Sequence, residues 1–160
     1  MSFDVNHTVL LVDADLRQPS LHTYFNYQPE LGFSDYLLND APIEDLLFHP
    51  NGLDRLVVLP GRERIENSAE MLGSPRTARL VRELKTRYKN RIIIIDVPPV
   101  LGSDDVVVTD KYVDAVLLVA EAGVTKRQEL QESLRILGNA HVLGTVLNKS
   151  PQKAKAKTRY

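Results

Sequence analysis

Three carboxylates stand directly after two apolar runs of this sequence. Asp13 and Asp15 follow the run VLLV at residues 9–12, and Asp96 follows the run IIII at residues 92–95. A carboxylate at the mouth of a buried strand is costly unless water, a cation or a hydrogen-bond donor satisfies it. Protein-bound Mg²⁺ is usually held by one or two carboxylates and keeps several waters. If the two strand ends meet, these residues predict a site for Mg²⁺ with nucleotide phosphates.

Arg17 completes the pattern Asp-x-Asp-x-Arg at the first of these strand ends. Its guanidinium fork suits either the neighbouring acids or a phosphate group, so we count Arg17 among the candidate catalytic residues. A purely structural interpretation competes with this one: Asp13 or Asp15 accepts backbone N–H groups in the turn near Pro19 and Ser20. The combination of two acids at one strand end and a third at another favours the metal site.

Five short apolar runs predict the strands that must carry these acids. They are rich in Val and Ile and do not alternate with polar residues, a pattern typical of parallel strands buried on both faces. Segments with helical spacing lie between them, so we predict an α/β fold with a mostly parallel, doubly wound sheet and flanking helices. In such sheets, ligands bind beyond the carboxyl ends of the strands. The runs are residues 8–12, 56–59, 92–95, 115–120 and 141–148.

Four segments between the strands predict helices. The segment 74–89 has Ser74 as a candidate N-cap, followed by a proline at the first helical position. The segment 125–139 has Thr125 as a candidate N-cap and Gly138 as its stop. Two shorter helices are predicted at residues 33–39 and 42–48.

The composition predicts one soluble domain without a disulfide framework. The 160 residues include no Cys, and the four His are too far apart in sequence to suggest a metal site. No apolar run approaches the ~20 residues of a membrane-spanning helix, and the amino terminus lacks the features of a signal peptide. We therefore expect a cytoplasmic protein with one domain at residues 1–148. Residues 149–160 hold five basic residues and no acid, which predicts a disordered tail that either solubilises the chain or tethers it to an anionic surface.

The chain resembles bacterial tyrosine kinases over nearly its whole length. VLLVDADLRQPSLHTYF (residues 9–25) is similar to their modified second Walker motif, and IIIIDVPPVLGSDD (92–105) is similar to their Walker B motif. The resemblance extends to GFSDYLL (32–38), to LPGRERIENSAEML (59–72) and to the last two strands with the helix between them. An Asp-x-Asp-x-Arg pattern beside an Asp-x-x-Pro strand is fairly specific within the deviant Walker ATPases. Ser68 departs from the family pattern, which usually has Pro at this position.

This resemblance implies ATP and Mg²⁺ as cofactors and a role for each candidate residue. Asp13 would be the base that accepts the proton of an incoming tyrosine hydroxyl, and Asp15 and Asp96 would hold Mg²⁺ through its waters. Asn148 would contact adenine, although an asparagine at this point is equally suited to end a strand in a turn. Tyr160 would be a phosphoacceptor from a carboxyl-terminal tyrosine cluster, or else an incidental tyrosine.

The phosphate-binding loop of the family, Gly-x-x-x-x-Gly-Lys-[Ser/Thr], does not occur in this sequence. None of the eight glycines is followed by another glycine five positions later, and there is no Gly-Lys pair. That loop supplies backbone donors and a lysine to the nucleotide phosphates. We therefore expect a kinase domain without its amino-terminal strand and loop, with a sheet that either exposes an edge or closes over the gap, poor ATP binding and no catalysis by this chain alone.

By this resemblance, the predicted function is that of a protein tyrosine autokinase that regulates the chain length and export of a capsular or extracellular polysaccharide. The expected partners are other kinase subunits, phosphorylated in trans, and a membrane-spanning polysaccharide co-polymerase that places the kinase at the inner face of the membrane. We expect no nucleic acid among the partners. Two alternatives stay open: a MinD/ParA-like ATPase that positions cargo, and a non-catalytic fragment that only binds other subunits.

Overall fold

A computed structural model of the protein describes residues 7–87 and 90–151. The chain divides into two compact units, residues 1–112 and 113–160. In the first unit, three parallel strands lie side by side in the order β2-β1-β3. They are β1 (Thr8–Asp13), β2 (Leu56–Leu59) and β3 (Arg91–Asp96).

The described residues of the first unit form five α-helices, of which the first four lie between the strands along the chain and the fifth follows β3. The longest, α4, buries Thr77, Leu80, Val81 and Leu84, which recur at helical spacing along one stripe. Its first turn is closed by Ser74, whose Oγ accepts a hydrogen bond from the Thr77 N–H at 3.4 Å. The helices are α1 (Phe33–Asn39), α2 (Ile43–Leu46), α3 (Ser68–Leu72), α4 (Pro75–Arg87) and α5 (Asp105–Asp110). Short 3-10 segments at Leu21–Phe25 and Val100–Gly102 follow β1 and β3.

The core of the first unit lies on β1 and β2. Leu10 and Leu59 are fully buried, and all four residues of β2 are buried. Residues from α1, α3 and α4, among them Leu37, Leu72 and Leu80, complete the same apolar cluster. The core therefore holds the middle of β1 rigidly and leaves the carboxyl end of that strand as the place where polar groups begin.

The described residues of the second unit form two parallel strands and one helix. These are β4 (Val116–Glu121), α6 (Arg127–Leu137) and β5 (Val142–Asn148). Leu118, Ala120 and Leu137 are buried. Gly138 ends α6 with a positive φ of 54°, a conformation that glycine adopts without steric cost.

All five predicted strands and all four predicted helices are present, and the α/β class with parallel pairing is confirmed. Two details were wrong. The helix predicted at 42–48 ends at Leu46, because Phe48 instead forms an antiparallel bridge to Val58. The N-cap of α6 is Lys126 rather than Thr125; the Lys126 N–H donates to Glu129 Oε2 at 2.8 Å, so the glutamate closes the first turn.

Burial of the strands differs from the expectation that all are covered on both faces. Among the described residues, the strands form a three-stranded and a two-stranded sheet rather than one continuous sheet. There β3 pairs only with β1, and its Ile94 is exposed; Leu143 and Leu147 of β5 are exposed as well. Of the two predicted outcomes, an open sheet edge or a sheet closed over the gap, the described residues show the first, at β3. None of the described helices has the length and apolar character needed to cross a membrane.

Candidate active site

The carboxyl ends of β1 and β3 bring two of the predicted acids together. The two strands run in parallel register, with Val12 opposite Ile95 and Asp13 opposite Asp96. The Ala14 N–H donates to the Asp96 carbonyl at 2.8 Å, which extends this pairing one residue beyond β1. Since neighbouring strands are about 4.8 Å apart, the two acids share one edge of the sheet, as the sequence predicted.

Asp13 is buried, with 1% of its surface exposed. Its Oδ2 accepts hydrogen bonds from the Ser20 and Leu21 N–H groups, both at 3.0 Å. Its Oδ1 is buried without a hydrogen bond among the described residues. Burial raises the pKa of Asp13 above its ordinary value; the Leu21, Ser20 and Gly61 N–H groups lower that pKa and the charge of Asp15 raises it. Asp13 therefore presents one oxygen with two backbone hydrogen bonds and a second, buried oxygen without one among the described residues.

Asp15 and Asp96 are the more accessible acids of the site. Asp15 is partly buried, and its Oδ1 accepts the Gln18 N–H at 3.0 Å. Asp96 is exposed as a residue, yet partial burial of its carboxylate raises its pKa, and the charges of Asp13 and Asp15 add to that rise. The charges of Asp13 and Asp15 thus act on the Asp96 carboxylate, as expected for acids close together in space. Asp13 and Asp15 each accept backbone N–H groups of the following turn through one carboxylate oxygen, as the purely structural interpretation predicted. The other oxygen of each carboxylate is not used by these hydrogen bonds.

Arg17 pairs with an acid that sequence analysis did not single out. Its Nε donates to Asp105 Oδ2 at 3.3 Å and its Nη2 donates to Asp105 Oδ1 at 3.2 Å. Ser68 Oγ donates to the same Oδ2 at 2.7 Å. Asp105 is fully buried; burial alone would raise the pKa of Asp105, but the hydrogen bonds from Arg17, Ser103 and Ser68 bring it below its ordinary value. No local signal reveals this pair, because its members are 88 residues apart in the chain.

Gly61, just after β2, lies against the Asp13 carboxylate. A Cβ atom at Gly61 would lie 2.7 Å from Pro19 Cβ and 3.3 Å from Asp13 Cγ. The first distance is shorter than real Cβ contacts allow, and the proline ring cannot swing away. The backbone at Gly61 therefore packs closely against Pro19 and the Asp13 carboxylate and helps to bury Asp13.

Replacement of Gly61 by alanine is expected to lower the free energy of unfolding by about 1–3 kcal/mol, the usual cost of overpacking. The added methyl must displace Pro19 and with it the Ser20 and Leu21 donors of Asp13. Urea unfolding followed by circular dichroism measures the change. Gly102→Ala is the matched control, since a Cβ there meets no atom within 4 Å; equal stability of the two variants would contradict the packing argument.

The acid residues fit a hydrated Mg²⁺ better than a fully dehydrated ion. Within the described part of the chain, no group of three or more His, Cys, Asp or Glu side chains converges closely enough to hold a metal ion directly. Mg²⁺ requires only one or two carboxylates and retains several waters. The Oδ1 of Asp13, which has no hydrogen bond among the described residues, and the raised pKa values of Asp13 and Asp96 also favour a cation at this edge. Asp15 and Asp96 are the accessible candidates to hold it.

The two remaining candidates lie elsewhere in the chain. Asn148 is exposed at the end of β5 in the second unit, opposite Glu121, and its Oδ1 accepts the Lys149 N–H at 2.8 Å. Lys149 has a positive φ of 55°, so Asn148 does end its strand in a turn; its role toward adenine stays a prediction. Tyr160 lies outside the described residues.

Several known kinases are similar to this chain in sequence and in fold. The solved kinase domain of VpsO matches with a TM-score of 0.79 and 31% identity over 89% of this chain and 70% of the VpsO chain. The tyrosine-protein kinase ptk of Acinetobacter johnsonii is 30% identical over 142 residues, which is 88% of this chain. The chain belongs to the bacterial tyrosine kinase family. This kinase-family chain spans only 19% of the length of ptk.

The same fold occurs in proteins outside the kinase family. The septum site-determining protein MinD from Pyrococcus horikoshii, solved with Mg-ADP, matches with a TM-score of 0.69 and 21% identity over 93% of this chain and 60% of its own. At that identity the likeness concerns the fold alone, and it agrees with the predicted α/β fold with parallel strands. No protein-family model matches the chain.

Proposed function

We propose that this chain carries the acidic part of a protein tyrosine kinase site, which uses Mg·ATP to phosphorylate tyrosine. The observation that carries the proposal is the parallel register of β1 and β3, which puts Asp13 beside Asp96 with Asp15 two residues further on. Phosphoryl transfer depends mainly on positioning and on neutralising charge. Bound Mg²⁺ would neutralise phosphate charge and orient the nucleotide. Asp15 and Asp96 would hold it through its waters.

Asp13 is the proposed base for the acceptor tyrosine. A buried carboxylate with a raised pKa accepts a proton more readily at neutral pH than a fully solvated one. Oδ2 already accepts two backbone hydrogen bonds, so the proton of the tyrosine hydroxyl would go to Oδ1. Because Oδ1 is buried, the Ser20–Leu21 segment or the Gly61 backbone must move before the hydroxyl can reach it. As the proton leaves, the tyrosine oxygen bonds to the γ-phosphorus and the bond from that phosphorus to ADP breaks.

The wider role is part of the same proposal. By family resemblance, the kinase would phosphorylate tyrosines of neighbouring subunits and would regulate export of a capsular or extracellular polysaccharide. A membrane-spanning polysaccharide co-polymerase would be its activator and would hold it at the cytoplasmic face of the membrane. Residues 1–148 would form the kinase part and residues 149–160 a basic tail.

The decisive experiment incubates the full-length gene product with Mg·ATP and detects phosphotyrosine with a specific antibody. The expected result is a signal that appears with Mg·ATP and disappears when EDTA removes the metal. Release of inorganic phosphate without any phosphotyrosine would refute the kinase proposal and favour a MinD-like ATPase. Absence of both products would favour a subunit-binding role.

A further inference from the structure

The buried carboxylate of Asp105 connects all three segments that follow the strands of the first unit. Arg17 belongs to the segment after β1, which directly follows Asp13 and carries Asp15. Asp105 itself ends the segment after β3, which directly follows Asp96. Ser68 begins α3, after the β2 segment that contains Gly61. The proposed metal-holding acids lie on two of these segments, so this cluster fixes the loops that carry them.

The guanidinium of Arg17 is held by its ion pair with Asp105. Both the Nε and the Nη2 of Arg17 donate to Asp105, one to each carboxylate oxygen. Such a bidentate pair fixes orientation as well as distance. A fully buried carboxylate without a countercharge is costly, so the arginine cannot turn away from Asp105 toward a phosphate without loss of stability.

We propose that Asp105 and Arg17 are positioning residues that set the metal affinity of the acid site by fixing the Asp15 segment against the Asp96 segment. This inference rests on the proposed function, because it assumes that Asp15 and Asp96 hold the metal. Arg17 then acts through Asp105 and contacts neither metal nor nucleotide. Residues that orient metal ligands typically change metal affinity 10–100-fold when they are replaced.

Ser68 adds a third side chain to this cluster. It is fully buried, and its hydroxyl donates to Asp105 Oδ2 at 2.7 Å. Asp105 therefore accepts the hydrogen bond from Ser68 in addition to the two from Arg17. Loss of the Ser68 hydroxyl alone should weaken the cluster partially and leave the ion pair in place.

The first test measures Mn²⁺, a paramagnetic substitute for Mg²⁺, by electron paramagnetic resonance of the free ion with the 160-residue chain. Arg17→Lys and Asp105→Asn are expected to raise the Mn²⁺ Kd at least about 10-fold, and Ser68→Ala by less. Lysine keeps the charge but loses the bidentate fork. Arg135→Lys is the matched control, since Arg135 pairs with the exposed Glu132 in the second unit. Circular dichroism verifies that each variant is folded, and Ser68→Ala keeps the test decisive if the other variants unfold.

The second test separates positioning from direct catalysis. In the full-length gene product, Arg17→Lys should raise the KM for Mg²⁺ while kcat recovers at saturating Mg²⁺. A lower kcat that saturating Mg²⁺ does not restore would show that Arg17 acts on the phosphate, and it would overturn the inference. So would unchanged Mn²⁺ affinity in folded Arg17→Lys and Ser68→Ala. If wild-type protein binds no Mn²⁺ at all, the proposed metal site itself fails, which is a different result from an unaffected variant.

Discussion

The Asp96→Asn variant of the full-length gene product is expected to lose at least about 100-fold of the proposed tyrosine kinase activity, because one of the two carboxylates proposed to hold the metal is replaced by a neutral amide. The loss should appear as a drop in phosphotyrosine per unit time at a fixed concentration of Mg·ATP. Asp15→Asn should behave similarly. Asp54→Asn is the matched control, since Asp54 is exposed and lies just before β2, at the opposite end of the strands.

The same replacement should make the protein slightly more stable at neutral pH. The pKa of Asp96 is raised by partial burial and by the charges of Asp13 and Asp15. A raised pKa means that the folded protein binds this proton more tightly than the unfolded chain, so ionisation of Asp96 lowers stability as the pH rises above its ordinary value of 3.8. Since Asp96 is exposed as a residue, we expect the gain to be under about 1 kcal/mol.

Urea unfolding at pH 7 and at pH 3 checks this stability effect. The gain of Asp96→Asn should be present at pH 7 and absent at pH 3, where the carboxyl is protonated in both states. A variant that is less stable than wild type at pH 7 would show that the carboxylate is stabilised by its surroundings. Loss of activity together with a gain in stability is the usual signature of a group kept for function.

The strands and the acid pair were predictable because local sequence determines them. Runs such as IIII at 92–95 have a strong local preference for strands, and a parallel sheet then aligns the carboxyl ends of its strands. Asp13 and Asp96 meet for that reason alone. The burial of each strand was less predictable, because it depends on neighbours: β2 is buried throughout, whereas β3 pairs on one side only within the described residues.

Features that depend on distant contacts were missed. Helix α5 has the sequence DVVVTD, whose β-branched valines disfavour a helix, and tertiary packing against α3 overrides that preference. Asp105 stands beside another aspartate in an acidic stretch and shows no sign of being buried until Arg17 and Ser68 are placed around it. Ser68 was recognised only as a departure from the family pattern, whereas the structure places its hydroxyl on Asp105.

Replacement of Arg17 by methionine should lower the urea midpoint of unfolding at pH 7 by roughly 0.5–1 M, because it leaves a buried carboxylate without its countercharge. Methionine retains most of the aliphatic stem, so lost packing contributes little. The effect is smaller than for a fully enclosed pair, since 44% of the Arg17 side chain is exposed. The hydrogen bond from Ser68 still satisfies part of the carboxylate.

The dependence of this loss on pH identifies its cause. In the wild-type protein the pKa of Asp105 is lowered, because its hydrogen bonds outweigh the effect of burial. The ionised carboxylate therefore contributes stability above its ordinary pKa of 3.8, and this contribution disappears as the pH falls through the lower folded value. The difference between wild type and Arg17→Met should accordingly shrink as the pH is lowered below 3.8.

A double-mutant cycle measures the energetic coupling between Arg17 and Asp105. Adding Asp105→Asn to Arg17→Met removes the stranded charge, so the double variant should recover much of the stability that the single variant loses. If the two losses simply add, the guanidinium and the carboxylate are not coupled and Arg17 stabilises the protein in another way. Recovery would establish that Arg17, the arginine of the Asp-x-Asp-x-Arg pattern, stabilises the fold through its ion pair with Asp105. Asp13 and Asp15 of the same pattern would then not be needed to pair with Arg17 and could act on the metal.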